Sequence, residues 1–442
     1  MAQISQSPFE WLQFDQNGAL VTLAAPGALK QALTDSGASD LVIISHGWKT
    51  DQAGAESLYM PLWANVTASL KASGKLDPAK VVIGGVLWPS KQFQTDFDVA
   101  DLKPVASGGA LDVGAMAVAQ DLDPATLSAL IDQFIGFVGP GAAAVRDAAQ
   151  ANQDQFTSAS ARRLLGALRT AVGLSSMPSD VELAADAERL SNDPLTILNN
   201  LVDPPTLAVD PDAGGALSLV DSLQGALAGP RAAIGRLLNQ VTYYEMKNRA
   251  GAVGDKLGAD VLTQISPGAP TRLHLIGHSF GARLVTAAAA AFPGAPNLSL
   301  RSLTLLQGAF SHNALSAAFG SGDVGAYATV LASGKVAGPI TITHTHNDSA
   351  CTIAYALASR LALDVAKALG DKNDPFGAMG ANGAQNLASG AWQEAQALAK
   401  NRPSYTVTPG LVNNVLGDAC ISEHMDVTNA DVGALVASAI AT

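Results

Sequence analysis

The sequence predicts an α/β fold with a mostly parallel central sheet, flanked by helices and interrupted by a largely helical cap insertion. Two observations lead to this prediction. Short apolar runs rich in β-branched residues alternate with helical patterns in the first and last parts of the 442-residue chain, and such alternation favours βα units on a sheet covered on both faces. Charged residues make up only 14% of the chain, against roughly 25% in ordinary soluble domains, which excludes a coiled coil or a solvated disordered chain.

Five apolar runs are predicted to be buried strands, and the region Phe9–Leu23 is expected to supply one or two leading strands. The five runs are Leu41–Ser45, Val81–Leu87, Arg272–Ile276, Ser302–Leu306 and Ile340–Thr345. The helical patterns are Glu56–Ala72, Tyr243–Leu257, Ala282–Phe292 and Thr352–Leu369.

The alternation stops in the middle of the chain. Residues 93–239 are rich in Ala, Gly, Leu and Asp, contain helix starts at Asp123 and Asp193, and show no convincing strand. Loops longer than about 15 residues are uncommon in compact domains unless they serve a function. We therefore expect residues 93–239 to form a mostly helical cap and residues 1–92 and 240–442 to form the core domain, with a separately folded tether domain as the alternative for the insertion.

Charge and hydropathy restrict the partners. The chain has 26 Lys and Arg against 38 Asp and Glu, a net charge of −12, which repels phosphate backbones and argues against nucleic-acid binding. A membrane span needs about 20 consecutive apolar residues, and the best candidates, Ala282–Phe292 and Ala129–Val145, are too short or interrupted by Asp132 and Pro140. No transmembrane segment is expected.

The first residues, MAQISQSPFEWLQFD, contain no basic region followed by an apolar one, so they do not resemble a signal peptide. This pattern predicts a cytoplasmic protein, although a secreted chain that had lost its leader would look the same.

The pattern Gly277-His278-Ser279-Phe280-Gly281 fits G-x-S-x-G. An apolar strand runs into the first glycine and an Ala-rich helix follows the second, which is the strand–turn–helix setting of a nucleophile elbow. A glycine-rich connection without chemistry is the alternative. The helix that begins here directs its first N–H groups toward developing negative charge, so the context points to Ser279 as a nucleophile supported by its small neighbours.

These residues resemble the α/β-hydrolase superfamily, in particular its serine esterase and lipase-like members. The resemblance covers roughly residues 9–92 and 240–430 and implies the α/β-hydrolase fold. It also gives meaning to Ser45-His46-Gly47-Trp48 at the end of the run Leu41–Ser45, because family members carry His-Gly there and use the next backbone N–H in an oxyanion hole.

The resemblance implies an oxyanion hole formed by the backbone amides of Trp48 and Phe280. Such a hole stabilises the tetrahedral intermediate of acyl transfer, and loss of one donor can cost about 10²–10³ in rate. His46 and Gly47 are expected to support the loop, His46 through a side-chain hydrogen bond. An ordinary turn is the alternative for this motif.

In the α/β-hydrolase fold the triad follows the order Ser, acid, His along the chain. Three histidines after Ser279 are less suitable as the base. His312 directly follows a strand, and His344 and His346 occupy a strand end where the fold places its acid. His424 lies in the loop-like segment Cys420–Asp426 and is therefore the predicted base, with a surface-loop histidine as the alternative.

The acid is expected between Ser279 and His424. Asp348 directly follows the apolar run Ile340–Thr345, at the strand end where the fold carries its acid, and is the first choice. Asp323 is the main rival, since some lipases take the acid from the preceding strand. The remaining candidates are Asp364, Asp371, Asp374, Glu394, Asp418 and Glu423.

Two cysteines, Cys351 and Cys420, are too few for a disulfide framework or a four-thiolate zinc site. Each lies a few residues from a predicted triad member, so the thiols could meet and pair. The expected cytosolic setting favours two separately buried thiols.

The expected function is a serine hydrolase that cleaves carboxylic esters through an acyl-enzyme on Ser279, with Asp348 and His424 completing the triad. The apolar stretch Leu130–Val138 in the insertion suggests a hydrophobic small-molecule ester, and no metal or other cofactor is required. The alternatives are a thioesterase or acyltransferase of the same fold and a non-catalytic hydrolase-like binding module. The oligomeric state stays open.

Overall fold

The computed structural model describes residues 2–90, 105–106, 121–173, 193–202, 206–207, 228–320, 322–354 and 377–442. The chain divides into two compact units. The first comprises Met1–Lys91, Met246–Thr352 and Gly370–Thr442, and the second comprises Gln92–Glu245 and Ile353–Leu369. The second unit thus includes Ile353–Leu369, which the predicted division placed in the core domain.

The first unit is an α/β structure built on a nine-stranded sheet. Its order is β1-β2-β4-β3-β7-β8-β9-β11-β10, and β1 with β2 is its antiparallel pair. The strands are β1 (Ala2–Ile4), β2 (Ser7–Gln13), β3 (Asp40–Ser45), β4 (Val81–Leu87), β7 (Thr271–His278), β8 (Leu298–Leu306), β9 (Ile340–His344), β10 (Trp392–Glu394) and β11 (Val412–Leu416). The predicted α/β class with a mostly parallel sheet is confirmed.

All five apolar runs form strands of this sheet, while the leading strands end at Gln13 rather than continuing toward Leu23. Strands β10 and β11 were not predicted. The centre of β11 is polar because it consists of Asn413 and Asn414. Both residues are fully buried. Their amides bond to nearby backbone, as in Asn414 Oδ1 accepting from Ala384 N–H at 2.9 Å. Because the two residues are polar, the sequence of this buried strand resembles that of a loop.

The second unit contains a short parallel pair of strands, β5 (Val105–Ala106) with β6 (Thr206–Leu207). The expectation that the insertion contains no strand is therefore wrong. Its described helices lie in the predicted cap, except that the helix Pro230–Lys256 begins there and continues past the predicted boundary at residue 239. The helices of the chain are α1 (Ala25–Ser36), α2 (Gln52–Ser73), α3 (Pro124–Val138), α4 (Ala143–Gln150), α5 (Ser158–Ala171), α6 (Pro194–Asn200), α7 (Pro230–Lys256), α8 (Phe280–Ala291), α9 (Thr329–Ala332), α10 (Met379–Asn382) and α11 (Ala430–Ile440).

Helices α1 and α11 were not predicted, and the predicted helix Thr352–Leu369 lies largely outside the described residues. One face of the sheet packs on α2 and α11 through a large apolar cluster that includes Tyr59, Trp63 and Leu435. Among the described helices, none is both long and apolar enough to cross a bilayer.

The parallel strands place their carboxyl ends along one edge of the sheet. Ser45 of β3 pairs with Gly277 of β7, and β7 pairs in turn with β8 up to Leu306. The residues that follow these strands therefore start from neighbouring points, which is the usual place for a ligand or active site in such sheets.

Candidate active site

Ser279 occupies the turn between β7 and α8 in a strained backbone conformation, with φ 58° and ψ −125°. A residue with a side chain rarely adopts positive φ, and such strain persists only where surrounding contacts impose it. Here the Ser279 N–H donates to Leu306 O at 3.1 Å, and the Ser279 carbonyl accepts from Ala282 and Ala309 N–H at 3.0 and 3.2 Å. These bonds hold the side chain at the end of the strand, as the elbow pattern predicts.

Three glycines allow this turn to exist. A Cβ on Gly277 would lie 2.3 Å from the Gly281 carbonyl oxygen, and one on Gly281 would lie 2.4 Å from the carbonyl oxygens of Ser45 and His46. A Cβ on Gly47 would lie 2.6 Å from Ser279 Cβ. The predicted supporting roles of these glycines therefore have a steric basis: any larger residue would displace the backbone around the serine.

The side chains of Ser279, His424 and Asp348 form one hydrogen-bonded chain. His424 Nε2 lies 2.8 Å from Ser279 Oγ, and His424 Nδ1 lies 2.7 Å from Asp348 Oδ2. The Asp348 side chain is fully buried while that of His424 is 19% exposed, so the chain leads from the interior toward the solvent. This geometry allows His424 to take the Ser279 proton while Asp348 holds the opposite side of the ring.

The charges around His424 favour a proton acceptor. Burial by itself lowers the pKa of the imidazole, but the attraction and hydrogen bond of Asp348 outweigh it and raise the pKa of His424 above its ordinary value. Burial acts in the opposite direction on Asp348, whose pKa is nevertheless lowered by His424 and by donated hydrogen bonds. Two of these come from Cys351 N–H at 2.9 Å and Gln307 Nε2 at 3.1 Å. The carboxylate therefore stays ionised beside the histidine.

His278 supports the base directly. Its Nε2–H donates to the His424 backbone carbonyl at 2.9 Å, and the two rings lie 4.9 Å apart between centroids. Burial, with a smaller contribution from the neighbouring His424, lowers the pKa of His278 to about 3. His278 is therefore a neutral donor that holds the His424 loop without adding a repulsive charge.

His46 holds the predicted oxyanion loop, as its sequence position suggests. Its Nδ1 bonds to Gly47 O at 2.9 Å, and burial lowers its pKa to about 4, so the ring is neutral. In a trans peptide the N–H points opposite to the carbonyl, so this bond directs the Trp48 N–H away from the His46 ring. The rings of Trp48 and Phe280 meet edge-on with centroids 6.1 Å apart.

The predicted oxyanion loop has further support that sequence reasoning missed. Tyr59 Oη accepts from His46 N–H at 2.8 Å and donates to Val86 O at 2.6 Å. The Trp88 ring stacks on the His46 ring with centroids 5.7 Å apart. Both residues belong to apolar segments, so nothing in their sequence context separated them from ordinary core residues.

Gln307 is the other residue that was missed. It follows β8 directly, has a positive φ of 46°, and donates from Nε2 to Asp348 Oδ2 and to Gly380 O, both at 3.1 Å. The available signal was its place at a strand end, the same criterion that selected Ser279 and Asp348.

The rival acids and bases have other environments. Asp418 bonds to His346 Nδ1 at 2.8 Å and to Thr345 Oγ1 at 2.6 Å, so His346 supports the loop that carries Asp418. Asp323 lies in a short antiparallel bridge to Phe319. Glu394 is in β10, and Asp364, Asp371 and Asp374 lie outside the described residues.

Both cysteines are free thiols, so the expectation that they do not pair is confirmed, but the expectation that both are buried is wrong for Cys420. Cys351 is buried and Cys420 is partly exposed. Cys351 lies beside the hydrogen-bonded chain, with Sγ 3.9 Å from His424 Nδ1.

Comparisons of the chain with protein-family models, with curated protein sequences and with solved structures each found no match.

Proposed function

We propose that this protein is a serine hydrolase of the α/β-hydrolase type that cleaves carboxylic esters. The observation that carries the proposal is the hydrogen-bonded chain Asp348–His424–Ser279, with its serine on a strained strand-to-helix turn. A triad is recognised by geometry and by the role of each group rather than by sequence position. The position of all three groups at strand ends of a mostly parallel sheet supports the hydrolase fold.

The proposed reaction begins with attack of Ser279 Oγ on the ester carbonyl while His424 Nε2 takes the hydroxyl proton. Asp348 stabilises the resulting imidazolium and keeps the ring in the required tautomer. The amides of Trp48 and Phe280 stabilise the oxyanion. His424 then gives its proton to the leaving alcohol, and water repeats the sequence on the acyl-enzyme.

The substrate is proposed to be a hydrophobic small-molecule ester. The support is the apolar sequence of helix α3, and the alternative is that its buried residues Leu127, Leu130, Ile131 and Phe134 only pack the core of the insertion itself. The proposal that the inserted segment shapes the acyl pocket, and that the protein works in the cytoplasm, stays a prediction.

The decisive experiment is labelling with an active-site fluorophosphonate. Wild-type protein should be labelled on Ser279, and the Ser279→Ala variant should not be labelled. Ser302→Ala is the matched control, because Ser302 also bonds to a histidine but lies fully buried inside a strand. Absence of wild-type labelling would refute the catalytic proposal and favour a binding module.

Ester substrates then test the chemistry. The initial rates on p-nitrophenyl esters of increasing acyl length measure whether long chains are accepted, and a rate that falls steadily with length would contradict the hydrophobic-substrate proposal. Competition between water and an added alcohol or thiol for the acyl group distinguishes hydrolysis from acyl transfer.

A further inference from the structure

The buried surroundings of Cys351 contain a second arrangement of ligating atoms. Asp348, Cys351 and His424 each offer one atom, and the three atoms lie within 4.8 Å of one another. The set combines a carboxylate oxygen, an imidazole nitrogen and a thiol sulfur, the ligand types that Zn²⁺ prefers. The mechanism proposed above uses two of these residues and leaves the thiol without a role.

Gln307 contacts this set through its side-chain amide. Within the described part of the chain, Gln307 Oε1 is buried and has no hydrogen-bond partner, although the same amide donates to Asp348 through Nε2. A buried acceptor without a hydrogen-bond partner is unfavourable. An amide oxygen can bind a divalent cation, so Gln307 Oε1 is a buried acceptor on a residue that already contacts Asp348.

We propose that Asp348, Cys351 and His424 form an inhibitory binding site for a thiophilic divalent cation, with Zn²⁺ the first candidate. The proposal rests on the proposed function only for its consequence, the loss of activity, and not for the binding itself. Two ligands of the set are anionic when bound, since the cysteine binds as its thiolate. A cation of charge +2 therefore leaves no net charge in the buried site, which reduces the cost of placing it there.

The geometry requires a small adjustment. Ligand nitrogen and oxygen atoms at about 2.0 Å from a tetrahedral zinc lie roughly 3.3 Å apart, against 2.7 Å between His424 Nδ1 and Asp348 Oδ2. His424 lies in the loop between β11 and α11 and its side chain is partly exposed. A displacement of this loop by less than about 1 Å would open the space, and the distance of 3.9 Å from Sγ to Nδ1 already fits.

The proton balance explains the inhibition. The resting His424 donates its Nδ1 proton to Asp348 and accepts at Nε2 from Ser279. When the cation bonds to Nδ1, the imidazole proton moves to Nε2, and the thiol proton of Cys351 leaves to solvent, so one proton is released for each cation bound. Nε2 then carries a hydrogen and cannot accept the Ser279 proton, and the serine is no longer activated.

Cobalt binding tests the site without depending on catalysis. Metal-free full-length protein is titrated with Co²⁺, and the thiolate-to-cobalt charge-transfer absorption is recorded. We expect the band in wild type, in Ser279→Ala and in Cys420→Ala, which is the matched control, and its loss in Cys351→Ala and Cys351→Ser. A band that survives in both Cys351 variants, or that is absent from wild type, would overturn the proposal; circular dichroism of each variant verifies that it is folded.

Inhibition is measured separately as fluorophosphonate labelling of Ser279 at increasing Zn²⁺, with labelling in EDTA as the reference for each variant. Removal of an outer partner of a metal ligand already costs about 10–100-fold in metal affinity. We therefore expect the half-inhibiting Zn²⁺ concentration to rise by at least about 100-fold in Cys351→Ala and to change little in Cys420→Ala. Equal inhibition of both variants would place the cation elsewhere and refute the site. A cobalt band without any labelling would instead refute the proposed hydrolase.

Discussion

The sheet carries two Ser–His–Asp arrays, one among the loops at its carboxyl edge and one inside its strands. In the second, His274 Nδ1 lies 2.8 Å from Ser302 Oγ and His274 Nε2 lies 2.9 Å from Asp40 Oδ1. All three residues are fully buried, and they join β3, β7 and β8. Both arrays therefore have the same residue types and similar distances.

Their environments separate them. Burial lowers the pKa of His274 more than Asp40 raises it, so this imidazole is a poor proton acceptor. Arg272 Nε also lies 2.7 Å from Asp40 Oδ1, so the negative charge of Asp40 is divided between the arginine and the histidine. Ser302 lies in the middle of β8, opposite His274 where the register shifts, whereas Ser279 is held on a strained turn. Hydrogen-bond distances alone do not distinguish the arrays; the exposure and pKa of the histidine and the backbone position of the serine do.

The largest expected difference between the arrays is in the labelling rate of Ser279 when the aspartate of each array is replaced by asparagine. Asp348→Asn should slow fluorophosphonate labelling of Ser279 by about 10⁴-fold, the loss seen when a triad aspartate becomes asparagine. The His424 ring is then no longer held in the tautomer with Nε2 free to accept a proton, and no carboxylate stabilises the imidazolium. The labelling rate constant is the measurement. A rate near that of wild type would show that Asp348 is not the acid.

Asp40→Asn is the matched control for this experiment. Its labelling rate should change little, while the free energy of unfolding, measured by urea titration, should fall by about 2 kcal/mol because a hydrogen bond to a buried charged group is weakened. A large loss of labelling in a folded Asp40→Asn protein would contradict the assignment of a structural role to the inner array.

A steric change at the outer array should have the next largest effect. Gly47→Ala places a Cβ 2.6 Å from Ser279 Cβ, so the loop that carries the Trp48 amide must move. We expect a loss of about 10²–10³ in kcat, comparable to the loss of one oxyanion donor. Gly74→Ala is no suitable control because its φ is positive, but Gly27→Ala is, since nothing lies within 4 Å of its added Cβ.

Loss of the donor that holds the base should have a smaller effect. His278→Leu removes the bond to the His424 carbonyl and should lower kcat by up to about 10²-fold, the cost of a misplacement near 1 Å. His278→Gln can still donate from its amide and should recover part of the rate. Equal losses of kcat in the two variants would indicate that His278 acts only through packing.

The pH dependence should show the smallest change. Because the pKa of His424 is raised, the base is protonated and inactive at acid pH, and labelling should increase with pH through a midpoint above the ordinary histidine value of 6.5. Residual activity of Asp348→Asn should have a lower midpoint, because burial then acts without the opposing carboxylate. A midpoint that is unchanged in this variant would contradict the assigned coupling.

The sequence predicted the parts of the fold that repeat a local pattern. Apolar runs such as Val81–Leu87 reveal strands buried on both faces, and the elbow pattern around Ser279 depends on neighbours within a few residues. Strand β11 and Gln307 were missed for the opposite reason. Their roles depend on partners that are distant in the sequence, as Gln307 bonds to Asp348, 41 residues away. The residues next to Gln307 in the sequence therefore do not indicate that contact.

By itself, then, the sequence determined the fold class and the strand–turn–helix setting of Ser279, since periodicity and turn chemistry are local properties. Its resemblance to the α/β-hydrolases led to the prediction of His424 and Asp348 as base and acid. Only the tertiary structure decided which carboxylate meets which histidine, placed Cys351 beside them, and separated the outer array from the buried one. Those outcomes depend on strand order and on desolvation, and both arise only when residues distant in the chain are packed together.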